Sequence, residues 1–159
     1  SMAKSKISVS EKTFKENVEA TPDISKYYEK GLSALGIHSK KIEISNTNKC
    51  CGSVDLDTCT TYLYPQASRW DYIFCYNNEV FFIEVHSANT SEVKTVIKKL
   101  HWLKQWLSES APEINKMRAK IQPFIWIQSN NFRIPKNSSQ YLQAIQEGIK
   151  PIPKLVLKD

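Results

Sequence analysis

The chain lacks the features of a membrane-spanning or secreted protein. None of its apolar runs approaches the roughly 20 residues needed to cross a bilayer, and no segment has the pattern of a secretory signal. Internal repeats, low-complexity tracts and linker-like segments are missing as well. A chain of 159 residues can bury roughly 70% of its unfolded surface without disulfides or metals. We therefore expect one cytoplasmic domain over residues 4–159.

The cysteine spacing of a zinc site is also missing. The four cysteines are Cys50, Cys51, Cys59 and Cys75, and no two of them form a C-x₂-C pair. The first three could be combined with His38 into a zinc site, but the spacing disfavours this interpretation. Reduced thiols are the expected state in a chain without a secretory signal. Cys75 lies in the middle of a predicted strand, so we expect it in the core.

Positive charge exceeds negative charge, with a formal net charge of +6 and a pI near 9.1. Such an excess permits binding to a polyanion but does not establish it, because exposed lysines often only solvate a surface. The position of the lysines relative to a candidate site is therefore more informative than their number.

Two helices are predicted before the first strand. The first covers residues 10–19, where apolar residues recur at helical spacing. The second covers residues 22–35, since Pro22 suits a first helical position, an apolar stripe follows and Gly36 suits the end. An amphipathic helix is therefore expected to pack against the sheet.

Four strands and one hairpin follow in the pattern. Alternating or continuous apolar segments predict strands at residues 41–45, 53–57, 70–76 and 80–88. Asn77-Asn78 between the last two suits a two-residue hairpin turn. We expect these four strands to form an antiparallel meander.

The clearest helix follows the fourth strand. Asn89 and Glu92 have the spacing of a capping box, and apolar residues form a buried stripe over residues 93–107. A further buried strand is predicted at residues 123–127. Because a strand–helix–strand passage is a crossover, this strand should lie parallel to the 80–88 strand.

The remaining pattern completes an α/β fold. A short helix starts at Pro112, another helix covers residues 138–147, and the tail at residues 151–157 is extended and lies at an edge. The expected architecture has a first helix and a mixed central sheet of four to five strands. That sheet combines the antiparallel meander with one parallel strand after the crossover helix.

Three polar side chains stand out on the two central strands. Asp71 lies in the 70–76 strand, and Glu84 and His86 interrupt the otherwise apolar 80–88 strand. Glu84 and His86 point to the same face because side chains alternate along a strand. Burying a carboxylate there is costly unless a cation or a proton compensates it. A divalent metal bound by Asp71, Glu84 and the Val85 carbonyl is the simplest compensation, since Mg²⁺ prefers oxygen ligands.

Structural roles are the alternatives for the same side chains. Asp71 could pair with Arg69 or cap a turn. Glu84 could form a buried ion pair with a lysine or arginine of the crossover helix. His86 could be a hydrogen-bonded histidine near the core. Asp57, in a strand of alternating polarity, is a reserve metal ligand.

These residues and their order resemble the PD-(D/E)XK nuclease superfamily. Trp70-Asp71 stands where the family has Pro-Asp, and Glu84-Val85-His86 stands where it has Glu-x-Lys. The resemblance covers most of residues 10–128 as architecture and implies a restriction-endonuclease-like fold. It also implies that Asp71 and Glu84 bind Mg²⁺ or Mn²⁺. His86 replaces the motif lysine and would assist the attacking water or bind metal.

The resemblance leaves two parts of the site open. Lys94 or Lys98 on the crossover helix could supply the charge of the missing motif lysine, and both are expected to contact phosphate. An acidic residue from the first helix often completes the metal site in this family. Glu16, Glu19 and Glu29 are the candidates for that role.

The function expected from the resemblance is metal-dependent hydrolysis of phosphodiester bonds, with DNA favoured over RNA as substrate. No extra specificity domain is evident, so a partner or a homodimer is expected. The alternative is a catalytically degenerate module of the same fold that binds nucleic acid or a protein, and the histidine in the lysine position is its best argument. A third possibility is a structural or immunity-type interaction protein without nucleic-acid affinity.

Overall fold

The computed structural model of the chain describes residues 13–158, and it has an α/β architecture. The five helices are α1 (Phe14–Glu19), α2 (Leu56–Thr60), α3 (Val93–Ser110), α4 (Pro112–Lys116) and α5 (Ser139–Gln146). The six strands are β1 (Ile42–Ile44), β2 (Cys50–Asp55), β3 (Tyr72–Tyr76), β4 (Glu79–His86), β5 (Phe124–Gln128) and β6 (Leu155–Leu157). Within this part of the chain, no helix combines the length and the apolar character that a membrane crossing requires.

The central sheet is mixed and has the strand order β2-β3-β4-β5. β2, β3 and β4 pair antiparallel, and β5 pairs parallel to β4 after the α3 crossover. The β3–β4 turn is formed by Asn77 and Asn78, which both have positive φ, as the mirror-image type I′ turn requires. The predicted hairpin and the predicted parallel strand are therefore confirmed.

β1 and β6 form a second sheet and do not extend the meander. The two strands pair parallel, with Ile42 opposite Leu155. The strand prediction for residues 41–45 is confirmed, but its placement in the antiparallel meander is wrong. The tail is extended, as expected, and supplies the partner strand.

Both faces of the central sheet are buried. The face toward α3 carries Ile73, Phe82 and Trp126, and the opposite face carries Phe74 and Ile83, among other apolar residues. Fully burying one such side chain stabilises the fold by about 1.5–3 kcal/mol. Alternation along β4 places Glu84 and His86 on the same face as Phe82, beneath α3.

The predicted helix over residues 22–35 is wrong. The chain forms only a 3₁₀ turn at Pro22–Ile24, and a later 3₁₀ segment, Ser33–Lys41, is interrupted at Gly36. Gly31, inside the predicted helix, has a φ of 53°, which a right-handed helix cannot contain, whereas Gly36, the predicted end, has a φ of 54°. The apolar stripe of this segment therefore reaches the core without forming a helix.

Two further local predictions need correction. The strand predicted at residues 53–57 ends at Asp55, whose side chain accepts the Thr58 N–H and caps α2. Asn89 makes no side-chain cap, and Glu92 does not close a capping box. α1 does have a capping box, between Thr13 and Glu16, and residues 10–12 of its predicted range lie outside the described residues.

Candidate functional site

Asp71 and Glu84 meet at one end of the β3–β4 pair. Tyr72 pairs with Ile83, so Asp71, the residue before β3, lies opposite Glu84. The Asp71 backbone N–H donates to Glu84 Oε1 at 3.1 Å, and the Val85 N–H donates to Asp71 Oδ2 at 3.0 Å. Each carboxylate thus accepts a backbone N–H from the opposite strand segment. The backbone of Val85 faces Asp71.

Lys99 of α3 is the cation that compensates these carboxylates. Its Nζ lies 3.5 Å from Asp71 Oδ1 and donates a hydrogen bond to Glu84 Oε2. The Glu84 side chain is fully buried, and the Lys99 side chain is 16% exposed. The alternative of a buried ion pair with a lysine of the crossover helix is therefore present in the structure.

His86 lies between two carboxylates. Its Nδ1 is 3.1 Å from Glu84 Oε2, and its Nε2 is 2.6 Å from Oε1 of Glu92. The hydrogen bond with Glu84 raises the pKa of His86, and Glu92 adds to this effect against the cost of burial. An imidazolium donates from both ring nitrogens, so this geometry suits the protonated form. In this arrangement neither nitrogen offers a lone pair to a metal.

The site holds more negative charge than its cations neutralise. Burial and the charge of Glu84 raise the pKa of Asp71 from 3.8 to about 7, although Lys99 and the Val85 N–H lower it. Burial lowers the pKa of Lys99, but the charges of Glu84 and Asp71 outweigh burial, so the net shift is upward. Lys99 therefore stays charged, and Asp71 is poised to ionise when another cation approaches.

Lys94 and Lys98 do not reach the carboxylates. Both are exposed, and the 100° step of an α-helix turns them roughly 100–140° away from Lys99. The prediction that Lys94 or Lys98 supplies the missing charge is wrong, because the packing of α3 on the sheet directs Lys99 toward the carboxylates. Their proposed contact with phosphate is a separate expectation.

The remaining acidic candidates have other local partners. Asp57 accepts a hydrogen bond from Arg69 Nε at 2.8 Å, so Arg69 pairs with Asp57 and not with Asp71. Glu16 takes part in the α1 capping box, and the Glu29 backbone pairs with Ser53.

Glu19, the last residue of α1, lines a surface groove together with Lys15, Tyr28 and Lys30. Within residues 13–158, the hydrogen bonds and ion pairs of Asp71 and Glu84 join them to each other, Val85, His86 and Lys99, and to none of the three glutamates proposed from the first helix.

The structure offers two carboxylates to a metal and no larger ligand cluster. Within residues 13–158, no group of three or more His, Cys, Asp and Glu side chains is arranged to bind a metal. His38, considered with the cysteines for zinc, has its Nδ1 2.9 Å from the Tyr72 hydroxyl. Mg²⁺ is often bound through only one or two carboxylates with waters in the other positions. Asp71 and Glu84 fit that donor set, because both already contact one cationic atom.

Lys99 and Glu92 are the site residues that sequence reasoning missed. They lie seven residues apart, which places them on the same side of α3 two turns from each other. Lys99 also follows the buried Val96 by three positions and precedes buried Leu103 by four. Lys94 and Lys98 have no fully buried residue three or four positions away on either side, so this spacing separates Lys99 from them.

Comparisons with family models, with curated proteins and with solved structures gave no match for this chain. The restriction-endonuclease-like fold therefore stays a prediction from the sequence.

Proposed function

We propose that the protein is a metal-dependent nuclease of the restriction-endonuclease-like fold. The observation that carries this proposal is the meeting of Asp71 and Glu84 at one cationic atom, Lys99 Nζ. Two carboxylates on adjacent strands followed by a nearby lysine reproduce the chemical content of the family motif. Here the ammonium group would come from α3 and not from the position of His86.

Asp71 and Glu84 would hold Mg²⁺ or Mn²⁺, and the Val85 carbonyl is the proposed backbone ligand. A bound dication of this kind lowers the pKa of its water and neutralises charge on a phosphodiester. The raised pKa of Asp71 supports this assignment, because it marks a site that gains stability from added positive charge.

The chain's own cations would act around the phosphate. Lys99 would hold positive charge where negative charge develops on the phosphate oxygens. His86 would act as a positioning residue, since its two ring nitrogens hold Glu84 and Glu92 in place. This role differs from the water activation or metal binding expected from the sequence, because both ring nitrogens are already engaged.

Contacts with the nucleic-acid backbone would lie farther from the carboxylates. Lys94 and Lys98 on the exposed side of α3 are the predicted phosphate contacts. Arg133 is a further candidate, because it is exposed and its backbone N–H donates to Ala88 O at 2.8 Å, beside the segment that joins His86 to Glu92.

A non-catalytic binding module is the second candidate. The observation that favours it is the full engagement of Glu84, whose oxygens accept from the Asp71 N–H and contact His86 and Lys99. A site of this kind can persist as a structural ion-pair network after catalysis is lost. Such a module would bind nucleic acid or a protein without cleaving a phosphodiester bond.

A nicking assay separates the two candidates. Supercoiled plasmid, with single-stranded DNA and RNA tested in parallel, is incubated with the protein in Mg²⁺, Mn²⁺ or chelator. We expect metal-dependent cleavage by the wild type and a loss of at least about 100-fold in Glu84→Gln. Glu43→Gln is the matched control, because Glu43 forms an exposed pair with Lys154 away from the site.

Cleavage that persists in chelator, or that is equal in Glu84→Gln, would contradict the nuclease proposal. Binding of nucleic acid without cleavage in any metal would favour the binding module.

A further inference from the structure

The end of the central sheet opposite Asp71 and Glu84 brings two cysteines together. Cys50 pairs with Tyr76 and Gly52 pairs with Cys75, so Cys51 is the extra residue of a β-bulge. Cys51 packs against the core cluster that contains Cys75. Cys50 packs against the cluster on the other face of the sheet. The bulge thus places Cys51, and not Cys50, beside the Cys75 thiol.

Cys51 Sγ acts both as a hydrogen-bond donor and as an acceptor, and as a thiol it donates to the Lys49 carbonyl oxygen at 3.4 Å. The Asn78 backbone N–H donates to Cys51 Sγ at 3.3 Å. A hydrogen bond from the Cys75 thiol, together with the Asn78 N–H, lowers the pKa of Cys51 to about 7 against the opposing effect of burial. The same hydrogen bond and burial raise the pKa of Cys75, so Cys75 stays protonated. A thiol that titrates near neutral pH therefore packs against the core cluster that holds the protonated Cys75.

A small reagent can reach Cys51 from a surface groove. The groove has a volume of about 480 Å³, and its lining includes Lys15, Tyr28, Lys49 and Cys51. Cys51 is partly exposed and Cys75 is fully buried, so a reagent in the groove meets Cys51 first.

The backbone geometry of the bulge requires a glycine at position 52. Gly52 has a φ of 131°, and a Cβ at this position would clash with the Tyr28 ring. The Tyr28 hydroxyl donates to the Cys51 carbonyl at 2.8 Å. The bulge that presents Cys51 is thus fixed from both sides.

We propose that Cys51 and Cys75 form a hydroperoxide-reactive dithiol. The Cys51 thiolate attacks one peroxide oxygen, the O–O bond breaks, and the departing hydroxide takes a proton to leave as water (as an alcohol from an alkyl hydroperoxide). Cys51 becomes a sulfenic acid. The Cys75 sulfur then attacks the Cys51 sulfur as its own proton leaves, the S–O bond breaks, and water departs. Two thiols lose two electrons to form one disulfide, and the peroxide is reduced.

Peptide mapping after peroxide treatment tests the proposal. Trypsin cleaves after Lys49, Arg69 and Lys94, so Cys51 falls in peptide 50–69 and Cys75 in peptide 70–94. The folded protein is treated with hydrogen peroxide at neutral pH, its remaining thiols are alkylated, and it is digested without reduction. We expect these two peptides to be joined by a disulfide.

Variants assign the disulfide to its cysteines. The link should be lost in Cys51→Ser and retained in Cys50→Ser and Cys59→Ser, which remove the other cysteines of peptide 50–69. Absence of the link in the wild type, or its persistence in Cys51→Ser, would overturn the proposal.

A second readout needs no variant. Alkylation of the native wild type should be at least about tenfold faster at Cys51 than at Cys59, whose pKa burial raises to about 12. Equal alkylation rates at the two cysteines would also overturn the proposal. Neither result depends on the nuclease function.

Discussion

At the scale of single residues, Glu84 shows how a buried carboxylate is accommodated in a strand. Each of its oxygens has a partner: Oε1 accepts the Asp71 N–H, and Oε2 contacts His86 and Lys99. Burying a carboxylate without such partners would cost several kcal/mol of solvation free energy. A buried carboxylate at position 84 therefore depends on three groups together: the Asp71 N–H next to β3, His86 of β4 and Lys99 of α3.

The pH dependence of stability should report the ionisation of Asp71. Its pKa is about 7 in the folded protein and near 3.8 as an ordinary carboxyl, so the folded state binds the extra proton between these values. The free energy of unfolding of the metal-free protein should therefore be greatest at the acidic end of this window and fall as pH rises toward 7. His86, whose pKa is also raised, contributes with the same sign, because its stabilisation is lost as pH rises through the folded pKa.

Urea unfolding with chelator, measured across this pH range, gives the slope directly. Asp71→Asn removes one titrating group, so its slope should be flatter than that of the wild type. Glu113→Gln removes a carboxylate remote from the site and serves as the control. An Asp71→Asn slope equal to that of the wild type would show that Asp71 does not carry the effect.

At the scale of elements, α3 supplies the groups that complete the site. Glu92 lies at its N-terminal end and contacts His86, and Lys99 reaches Asp71 and Glu84 two turns later. Glu92 and Lys99 thus lie next to the apolar stripe of α3 that packs on the sheet. The site is therefore complete only when α3 is packed on the sheet.

Removing the Lys99 ammonium group should destabilise the protein, because this group joins α3 to Asp71 and Glu84. We expect Lys99→Met to lower the free energy of unfolding by about 3 kcal/mol at a pH above the Asp71 pKa, because two carboxylates lose their shared cation. Lys98→Met is the control on the same helix and should change stability by about 0.5 kcal/mol or less, since Lys98 is exposed. Equal effects of the two substitutions in urea unfolding would disprove the coupling.

The elements that the sequence predicted correctly are those specified by local pattern. The hairpin at Asn77-Asn78 and the parallel partner of β4 followed from turn residues and from a long helix between two apolar strands. The helix prediction for residues 22–35 failed because Gly31, with a positive φ, interrupts the apolar periodicity. The choice of Lys94 or Lys98 in place of Lys99 failed because the rotation of α3 against the sheet is set by tertiary packing.

At the scale of the whole molecule, the two ends of the central sheet carry different chemistry. One end holds the carboxylates and their cations, and the other holds the bulge with Cys51 beside Cys75. The buried apolar residues of β3 and β4 lie between the two ends. Each end can therefore be tested by substitutions that leave the other intact.

The most direct test of the central claim is the effect of Mn²⁺ on thermal stability. A ligand at one hundred times its Kd stabilises the folded state by about 2.7 kcal/mol. For a chain of this size that corresponds to a rise in Tm of about 5 °C or more. We expect this rise in the wild type and in Glu43→Gln, and its absence in Glu84→Gln and Asp71→Asn. A wild type that does not respond to Mn²⁺, or a Glu84→Gln variant that responds equally, would contradict metal binding by these two carboxylates.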